Sequence, residues 1–181
     1  MKNHLILGIE VEESQVQQPV TLVQGANWWS TNLDITLDQL KGAIAAELGN
    51  SGTATIKSQG ESVTYTGGRW RGNITFDIRE MYQIQVSAVC EFTLTGVSVN
   101  PSEYTITVSN GDNWIGVLRD ESIPVDVAFS GFTPEIGDVV KSEGVSTTYR
   151  NGGWRGNLTT LEPGKGYIYH SKATGDKTFT Y

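Results

Sequence analysis

Two stretches of this chain, TGGRWRGNITFDIREMYQIQVS (Thr66–Ser87) and NGGWRGNLTTLEPGKGYIYHS (Asn151–Ser171), contain the same tetrapeptide Trp-Arg-Gly-Asn. In each stretch a Gly-rich turn precedes the tetrapeptide, and a tyrosine follows the next turn. Alternating residues between such turns are typical of short β-strands joined as hairpins. The two stretches therefore suggest that the chain contains two copies of one β unit.

The duplication extends beyond these stretches and keeps the same order in both copies. VTLVQGANWWS (Val20–Ser30) matches ITVSNGDNWIG (Ile106–Gly116), TIKSQGESVTYTGGRWRGNI (Thr55–Ile74) matches VVKSEGVSTTYRNGGWRGNL (Val139–Leu158), and MYQIQVSAVCEFTLT (Met81–Thr95) matches GYIYHSKATGDKTFT (Gly166–Thr180). Repeats of this kind indicate a repeated structural unit. The turn at Asn100-Pro101 favours an N-terminal extension over residues 1–18, a first repeat unit over 19–99 and a second over 100–181.

Each copy also contains one candidate helix. In the first copy, Thr36 and Gln39 form a capping-box pattern before apolar residues at helical spacing, and Gly49 ends the run. In the second copy, Ser122 is a candidate cap, Pro124 suits a first helical turn, and a shorter apolar face precedes Pro134. The predicted fold is mainly β, with several short antiparallel strands and one short helix in each of two tandem repeats.

The composition excludes several classes of protein. The net charge is −7, and the scattered Lys and Arg residues lack the basic footprint of a nucleic-acid-binding protein. No stretch reaches the roughly 20 apolar residues of a membrane helix. The apolar run near the N-terminus is too short for a signal peptide, so we expect either a cytosolic protein or a piece of a longer exported chain.

The sequence offers no constellation for catalysis or for a cofactor. The single cysteine, Cys90, lies in an alternating stretch and is predicted to be a buried thiol. The two histidines, His4 and His170, show no metal-binding spacing. The acidic clusters Asp77–Glu80 and Asp120–Asp126 are interpreted as a solvated turn and loop. We therefore predict a non-enzymatic protein without metal or cofactor.

Aromatic residues provide the most distinctive signal. Four tryptophans recur at matching positions and are predicted to lie in the cores of the units: Trp28, Trp70, Trp114 and Trp154. Trp29 differs, because its counterpart is Ile115. A ring that stacks on a sugar, next to Arg and Asn side chains, is what a carbohydrate-binding surface requires.

Strand alternation predicts that Arg and Asn of the tetrapeptide face outward when Trp faces inward. This polar ladder is either a contact surface or a solvated face. The candidate ligand-binding residues are Trp29, Arg71, Asn73, Arg155, Asn157 and Tyr169.

The combined pattern resembles a known type of repeat. Gly-x-Asn-Trp, then IKSQ (Ile56–Gln59) or VKSE (Val140–Glu143), then a Gly-Trp-x-Gly-x-Leu-like stretch and LEPGKGY (Leu161–Tyr167) resemble tandem repeats of large exported proteins of gut Bacteroidetes. That resemblance spans about residues 20–181, and these repeats have no established activity. The first copy departs from it, since DIREMY (Asp77–Tyr82) replaces Pro-Gly-Lys-Gly-Tyr.

The resemblance implies a binding or presentation module of a secreted or cell-surface bacterial protein, with adhesion to a glycan or a protein surface. Self-association or attachment to a larger chain is a further expectation. The first alternative is a structural protein of a virion or another assembly, whose β repeats pack against a partner chain. The second alternative is an enzyme that acts on glycans.

Overall fold

The computed structural model describes residues 5–6, 9–10 and 14–181 of the chain. Strands make up 46% and helices 11%, in several antiparallel sheets, so the predicted mainly-β class is confirmed. The predicted N-terminal extension lies partly outside the described residues, as does His4.

The first half of the chain forms one five-stranded sheet and a smaller three-stranded sheet. Its elements are β1 (Leu5–Ile6), β2 (Ile9–Glu10), β3 (Gln15–Leu22), β4 (Gly25–Trp29), β5 (Leu33–Asp34), α1 (Leu37–Leu48), β6 (Ala54–Lys57), β7 (Ser62–Thr66), β8 (Arg69–Asn73), β9 (Tyr82–Val86) and β10 (Cys90–Ser98). The five-stranded sheet, here called sheet 1, has the order β4-β9-β6-β7-β8, and the smaller sheet has the order β3-β10-β5. Strands β1 and β2 pair with each other.

The second half follows after a 3-10 turn at Pro101–Glu103. Its elements are β11 (Ile106–Val108), β12 (Gly111–Ile115), β13 (Ile123–Pro124), α2 (Val125–Ala128), β14 (Val139–Ser142), β15 (Val145–Arg150), β16 (Gly153–Gly156), β17 (Thr160–Leu161), β18 (Tyr167–Ser171) and β19 (Lys177–Phe179). Its five-stranded sheet, here called sheet 2, has the order β12-β18-β14-β15-β16, while β11 pairs with β19 and β13 with β17.

The two five-stranded sheets therefore arrange corresponding strands in the same order. Each sheet has its own cluster of buried side chains, one from Val20 to Leu94 and one from Ile106 to Phe179. We call residues 15–98 the first unit and residues 106–181 the second unit. The sequence left open whether the two copies share one core, and in the structure each unit buries its own.

Helix α1 forms as the capping pattern predicts. The Thr36 side chain accepts a hydrogen bond from the Gln39 backbone, and the Gln39 side chain accepts one from the Thr36 N–H. Leu40, Ile44 and Leu48 are buried, and the helix packs mainly against β10. The helix ends at Gly49, which adopts a φ of +56°.

The second helix is shorter than predicted, with only one turn. Pro124 is its N-terminal flanking residue and not a first-turn residue, and the predicted cap Ser122 forms no capping hydrogen bond. The reason is that Ile123 and Pro124 pair with β17, so strand geometry holds the chain up to the helix start. Phe129, just after the helix, packs edge-to-face on Tyr169 and Phe179.

The tryptophan prediction is only partly right. Trp70 and Trp154 are half-buried and pack against the two clusters. Trp28 and Trp114 are half-buried outside both clusters, whereas Trp29 is 4% exposed. Asn27 and Trp29 share the inner face of β4, which places Trp28 on the outer face. Cys90 is buried as expected, and this burial raises the pKa of its thiol.

Candidate functional site

The Gly-x-Asn-Trp motif builds the start of β4 and β12 in the same way. The Asn27 side chain accepts a hydrogen bond from the Val23 N–H and donates to the carbonyl oxygens of Val23, Gly25 and Ile84. The Asn113 side chain makes the four corresponding hydrogen bonds in the second unit, to Ser109, Gly111 and Tyr169. The preceding glycines adopt φ values of +105° and +93°, a conformation that favours glycine. These asparagines are thus occupied in holding the turn.

The tetrapeptide Trp-Arg-Gly-Asn lies on or at the end of an edge strand of each sheet, β8 in sheet 1 and β16 in sheet 2. Trp70 stacks at a tilt on Tyr65 and donates its indole N–H to the Lys41 carbonyl oxygen at 3.2 Å. Gly72 has no room for a side chain, because a Cβ would lie 2.7 Å from the Ser62 carbonyl oxygen. Arg71 faces outward and is exposed. This arrangement explains the Trp and the Gly of the tetrapeptide.

The two units join through reciprocal hydrogen bonds. The Ser30 N–H donates to the Gly164 carbonyl oxygen at 3.3 Å, and its aligned counterpart Gly116 donates to the Arg79 carbonyl oxygen at 2.8 Å. Gly164 and Arg79 are themselves aligned in the two sequence copies. These two bonds mirror each other, as in an isologous interface.

Side chains repeat the same reciprocity. The Trp28 N–H donates to Glu143 Oε1 at 2.7 Å, and the Trp114 N–H donates to Gln59 Oε1 at 3.1 Å. Gln59 also donates to the Asp112 carbonyl oxygen at 2.6 Å. The fourth residue of IKSQ or VKSE in one unit therefore binds the backbone beside the outward tryptophan of the other unit.

A cleft of about 340 Å³ opens at this junction. We call it the junction cleft; it is bounded by the Asp77–Glu80 turn of the first unit and by β11 and β12 of the second. Its lining residues include Gln59, Asp77, Arg79, Glu80, Thr105, Thr107 and Trp114. Trp114 is half-buried, and Thr105 and Thr107 are exposed. The cleft lining thus combines one tryptophan and two isoleucines with residues that carry hydroxyl, carboxylate and guanidinium groups.

Charges in the junction cleft come from a single turn. Arg79 Nε lies 2.9 and 3.1 Å from the two carboxylate oxygens of Asp77. This ion pair lowers the pKa of Asp77 and raises that of Arg79. Partial burial raises the pKa of Glu80, and the nearby Asp77 charge raises it further. Asp77 and Arg79 neutralise each other, whereas Glu80 adds a negative charge.

A counterpart of this cleft lies on the opposite side of the junction, but it is divided. One part, of about 130 Å³, is lined by residues that include Trp28, Glu143, Glu162 and Lys165. The other, of about 170 Å³, lies between Trp29 and the turn Pro163–Lys165. Trp29 occupies the position that Ile115 has in the junction cleft, and its larger ring fills more of the space. The undivided junction cleft is therefore the roomier of the two.

The residues singled out from the sequence are scattered over the fold. Arg71, Asn73, Arg155 and Asn157 are exposed at the outer edges of the two sheets, so the structure confirms that the ladder faces outward. The Asn157 side chain accepts a hydrogen bond from the Ser146 N–H at 2.9 Å, which holds the end of that edge strand. The structure brings none of these four residues into the junction cleft.

Trp29 and Tyr169 are buried and offer no ring face to a ligand in solvent. Trp29 is 4% exposed, and its indole nitrogen has no hydrogen-bond partner among the described residues. Tyr169 is fully buried, and its hydroxyl donates to Asp138 at 2.6 Å. Burial in the cluster of the second unit raises the pKa of Tyr169. These two residues therefore act in packing.

Sequence reasoning missed the residues that line the junction cleft. The sequence predicts a solvated Asp77–Glu80 turn and a Trp114 in the core. The signal was present in the first copy, where DIREMY departs from Pro-Gly-Lys-Gly-Tyr. Because the turn and Trp114 belong to different copies, nothing local in the sequence places them together.

Another groove, of about 420 Å³, lies on the outer face of sheet 1. Neutral residues line it, including Gln24, Thr53, Thr55, Thr64 and Gln85, and no aromatic ring does. Among the described residues, no group of three or more His, Cys, Asp or Glu side chains could hold a metal ion. No helix in the described part of the chain is long and apolar enough to cross a membrane.

Comparisons of the chain with protein-family models, with curated proteins and with solved structures gave no match. The resemblance to Bacteroidetes repeats therefore stays a prediction.

Proposed function

We propose that this chain is a non-enzymatic binding module that holds a glycan in the junction cleft. It would act in this way as part of a secreted or cell-surface bacterial protein. The carrying observation is a cleft lined by the half-buried Trp114 and by mostly polar residues, among them Gln59, Glu80 and Thr107. Aromatic rings bind the C–H face of a sugar, while polar groups around the ring orient its hydroxyls. The assignment to a cell-surface or secreted protein rests on the resemblance of the repeats.

The polar groups of the cleft suit a hydroxyl-rich ligand. Thr105 and Thr107 are exposed on alternate positions around β11 and can donate or accept hydrogen bonds. Glu80 offers acceptor oxygens, and Arg79 retains exposed N–H groups beside its pair with Asp77. A pyranose ring seated on Trp114 would therefore meet both donors and acceptors at the edge of the cleft.

The junction prepares this cleft before a ligand arrives. The Trp114 backbone is held by Gln59, and the Asp77–Glu80 turn is held by the hydrogen bond from the Gly116 N–H to the Arg79 carbonyl oxygen. Tyr82 adds a further constraint, because its hydroxyl accepts a hydrogen bond from the Asp77 N–H at 2.6 Å. A preorganised site loses less conformational entropy on binding, which favours affinity.

A glycan array that compares the wild-type chain with Trp114→Ala and Trp28→Ala tests this function. Trp28 is the matched control, because it is the aligned tryptophan on the divided side of the junction. We expect binding by the wild type, loss of binding in Trp114→Ala and retention in Trp28→Ala. Circular dichroism would check that both variants fold.

Two results would contradict this function. A wild-type chain that binds no glycan would overturn the assignment. Binding that survives Trp114→Ala but is lost in Arg155→Ala would move the site to the polar ladder.

A further inference from the structure

The junction cleft has a carboxylate, Glu80, whose cationic neighbour Arg79 is paired with another carboxylate. Within the described part of the chain, Arg79 pairs with Asp77, whereas the half-buried Glu80 side chain has no hydrogen bond or ion pair. Glu61, on the neighbouring turn, adds to the negative potential at Glu80 and uses one carboxylate oxygen to accept from the Thr75 N–H. Burial and the charges of Asp77 and Glu61 outweigh the attraction of Arg79 and disfavour the ionised Glu80, and a ligand cation would relieve this cost.

The divided cleft on the other side has no such group. Its position equivalent to Glu80 is Lys165, whose ammonium lies 2.7 Å from Glu162. Its second carboxylate, Glu143, accepts the hydrogen bond from the Trp28 N–H. Both acidic groups there have partners. The two clefts therefore differ in shape and also in whether a carboxylate is available to a ligand.

Trp114 supplies a second attraction for the same ligand group. A cation over the face of a tryptophan ring is attracted by the ring's negative face, and Trp is the most effective side chain for this. Trp114 and Glu80 line one cleft, so an ammonium group in it would lie near both the indole side chain and the carboxylate. A neutral sugar would use the ring but leave Glu80 uncompensated.

From this arrangement we infer that the junction cleft selects glycans that carry a free amino group, such as oligomers of glucosamine, over their neutral N-acetylated forms. This inference rests on the proposed function, since it names the ligand class of the same site. The sugar ring would lie on Trp114, and its ammonium would donate to the Glu80 carboxylate. Arg79 stays paired with Asp77 and therefore does not repel the amine with its full charge.

The test is a calorimetric titration of the whole chain with two oligomers of equal length, glucosamine with free amines and its fully N-acetylated counterpart. We expect the amine form to bind at least about tenfold more tightly, because hydrogen bonds to charged groups contribute that much or more. Glu80→Gln keeps the shape of the side chain and removes its charge, and it should abolish the preference.

The matched control is Glu143→Gln. Gln is the residue that the first unit has at the aligned position, Gln59, where it accepts the corresponding hydrogen bond from Trp114. This variant removes the same unit of charge from the chain but not from the junction cleft. It should keep the preference for the amine.

The outcomes separate this inference from the proposed function. If both oligomers bind equally through Trp114, the glycan-binding function stands and the amine selectivity is wrong. If neither oligomer binds and the glycan array is also empty, both are wrong. A preference that Glu80→Gln leaves unchanged would show general attraction to an acidic chain, and this would also overturn the inference.

Discussion

The first and second units share a sheet order but differ where they meet. Ser30 faces its aligned counterpart Gly116: a Cβ on Gly116 would lie 3.2 Å from Ser30 Cβ and 2.8 Å from the Glu80 carbonyl oxygen. Met81 likewise faces its counterpart Gly166, on which a Cβ would lie 2.6 Å from Met81 Cβ. In an isologous interface equivalent positions meet near the axis, and here each pair combines one glycine with a larger residue.

The glycine positions determine which units can pack against each other. Two copies of the first unit would bring Met81 against a second methionine, and two copies of the second unit would leave a gap between two glycines. Overpacking and cavities both destabilise a close-packed interface. The junction therefore specifies that a first unit packs with a second unit, and the two clefts that result are unequal.

The largest effect is expected from filling the glycine side of the junction. Gly166→Met should reduce the free energy of unfolding by about 3 kcal/mol, because a side chain there overlaps the fully buried Met81. Chemical denaturation monitored by tryptophan fluorescence would measure it. The swap Met81→Gly with Gly166→Met should recover part of this loss. A swap that is no more stable than Gly166→Met alone would contradict the direct contact.

Replacing each of the two turn asparagines should reduce the free energy of unfolding by a different amount. Asn27→Ala removes four hydrogen bonds, of which the one to the Ile84 carbonyl oxygen is buried, and should cost about 2 kcal/mol. Asn113→Ala should cost less, because Asn113 is half-buried and water can reach the freed groups, whereas Asn27 is 8% exposed. Thermal unfolding of the two variants side by side checks this order. Equal losses would mean that burial does not set the cost.

A smaller difference is expected at the tyrosines that brace the two turns. The Tyr82 hydroxyl accepts from the Asp77 N–H and lies within donating distance of the Asp77 carbonyl oxygen at 3.1 Å. The Tyr167 hydroxyl accepts from the Glu162 N–H at 2.8 Å, and burial raises the pKa of Tyr167 to about 12. Tyr82→Phe should cost about 1 kcal/mol and Tyr167→Phe somewhat less. Urea denaturation would resolve the pair, and the reverse order would count against this account.

The smallest effect is expected at Glu80, where removal of the charge should increase the stability of the fold. Since its pKa is raised in the folded chain, the ionised carboxylate destabilises the fold. That cost appears as pH rises from the ordinary glutamate pKa through the raised value, and it stays constant above. Asp77 opposes this trend, because its lowered pKa stabilises the fold until pH falls through that value.

Glu80→Gln should therefore melt slightly higher than the wild type at neutral pH and match it in acid below the ordinary glutamate pKa. Melting temperatures across this pH range provide the measurement. Glu121→Gln, at an exposed glutamate that has no hydrogen bond or ion pair in the described part of the chain, is a control for the change in net charge. A lower neutral-pH melting temperature for Glu80→Gln would show that this carboxylate has a partner in solution.

Local chemistry in the sequence predicted much of the fold. The strands follow from alternation between Gly-rich turns, and α1 follows from Thr36, Gln39 and Gly49. The prediction was wrong where pairing with a distant strand determines the conformation instead of the local sequence. Pro124 was expected inside a helix, but pairing with β17 holds it as strand. Such pairing joins residues far apart in sequence, so no window around Pro124 shows it.

The site was less predictable than the fold. Alternation shows that Trp28 and Trp29 lie on opposite faces of β4, but not which face meets a core. The sequence favoured Trp28 as the buried residue, and the structure buries Trp29. Arg71, Asn73, Arg155 and Asn157 were expected to face outward, and they do. Their role in binding stays a prediction.

By itself, the sequence determined the mainly-β class, the capped helix, the turn positions and the paired motifs, because each depends on residues within a few positions of one another. The tertiary structure decided which tryptophan faces a core and how the two units join. It also placed the Asp77–Glu80 turn beside Trp114. The physical reason is that this junction depends on shape and hydrogen bonding between distant segments. Ser30 faces Gly116, and Met81 faces Gly166, only when the two units are packed together.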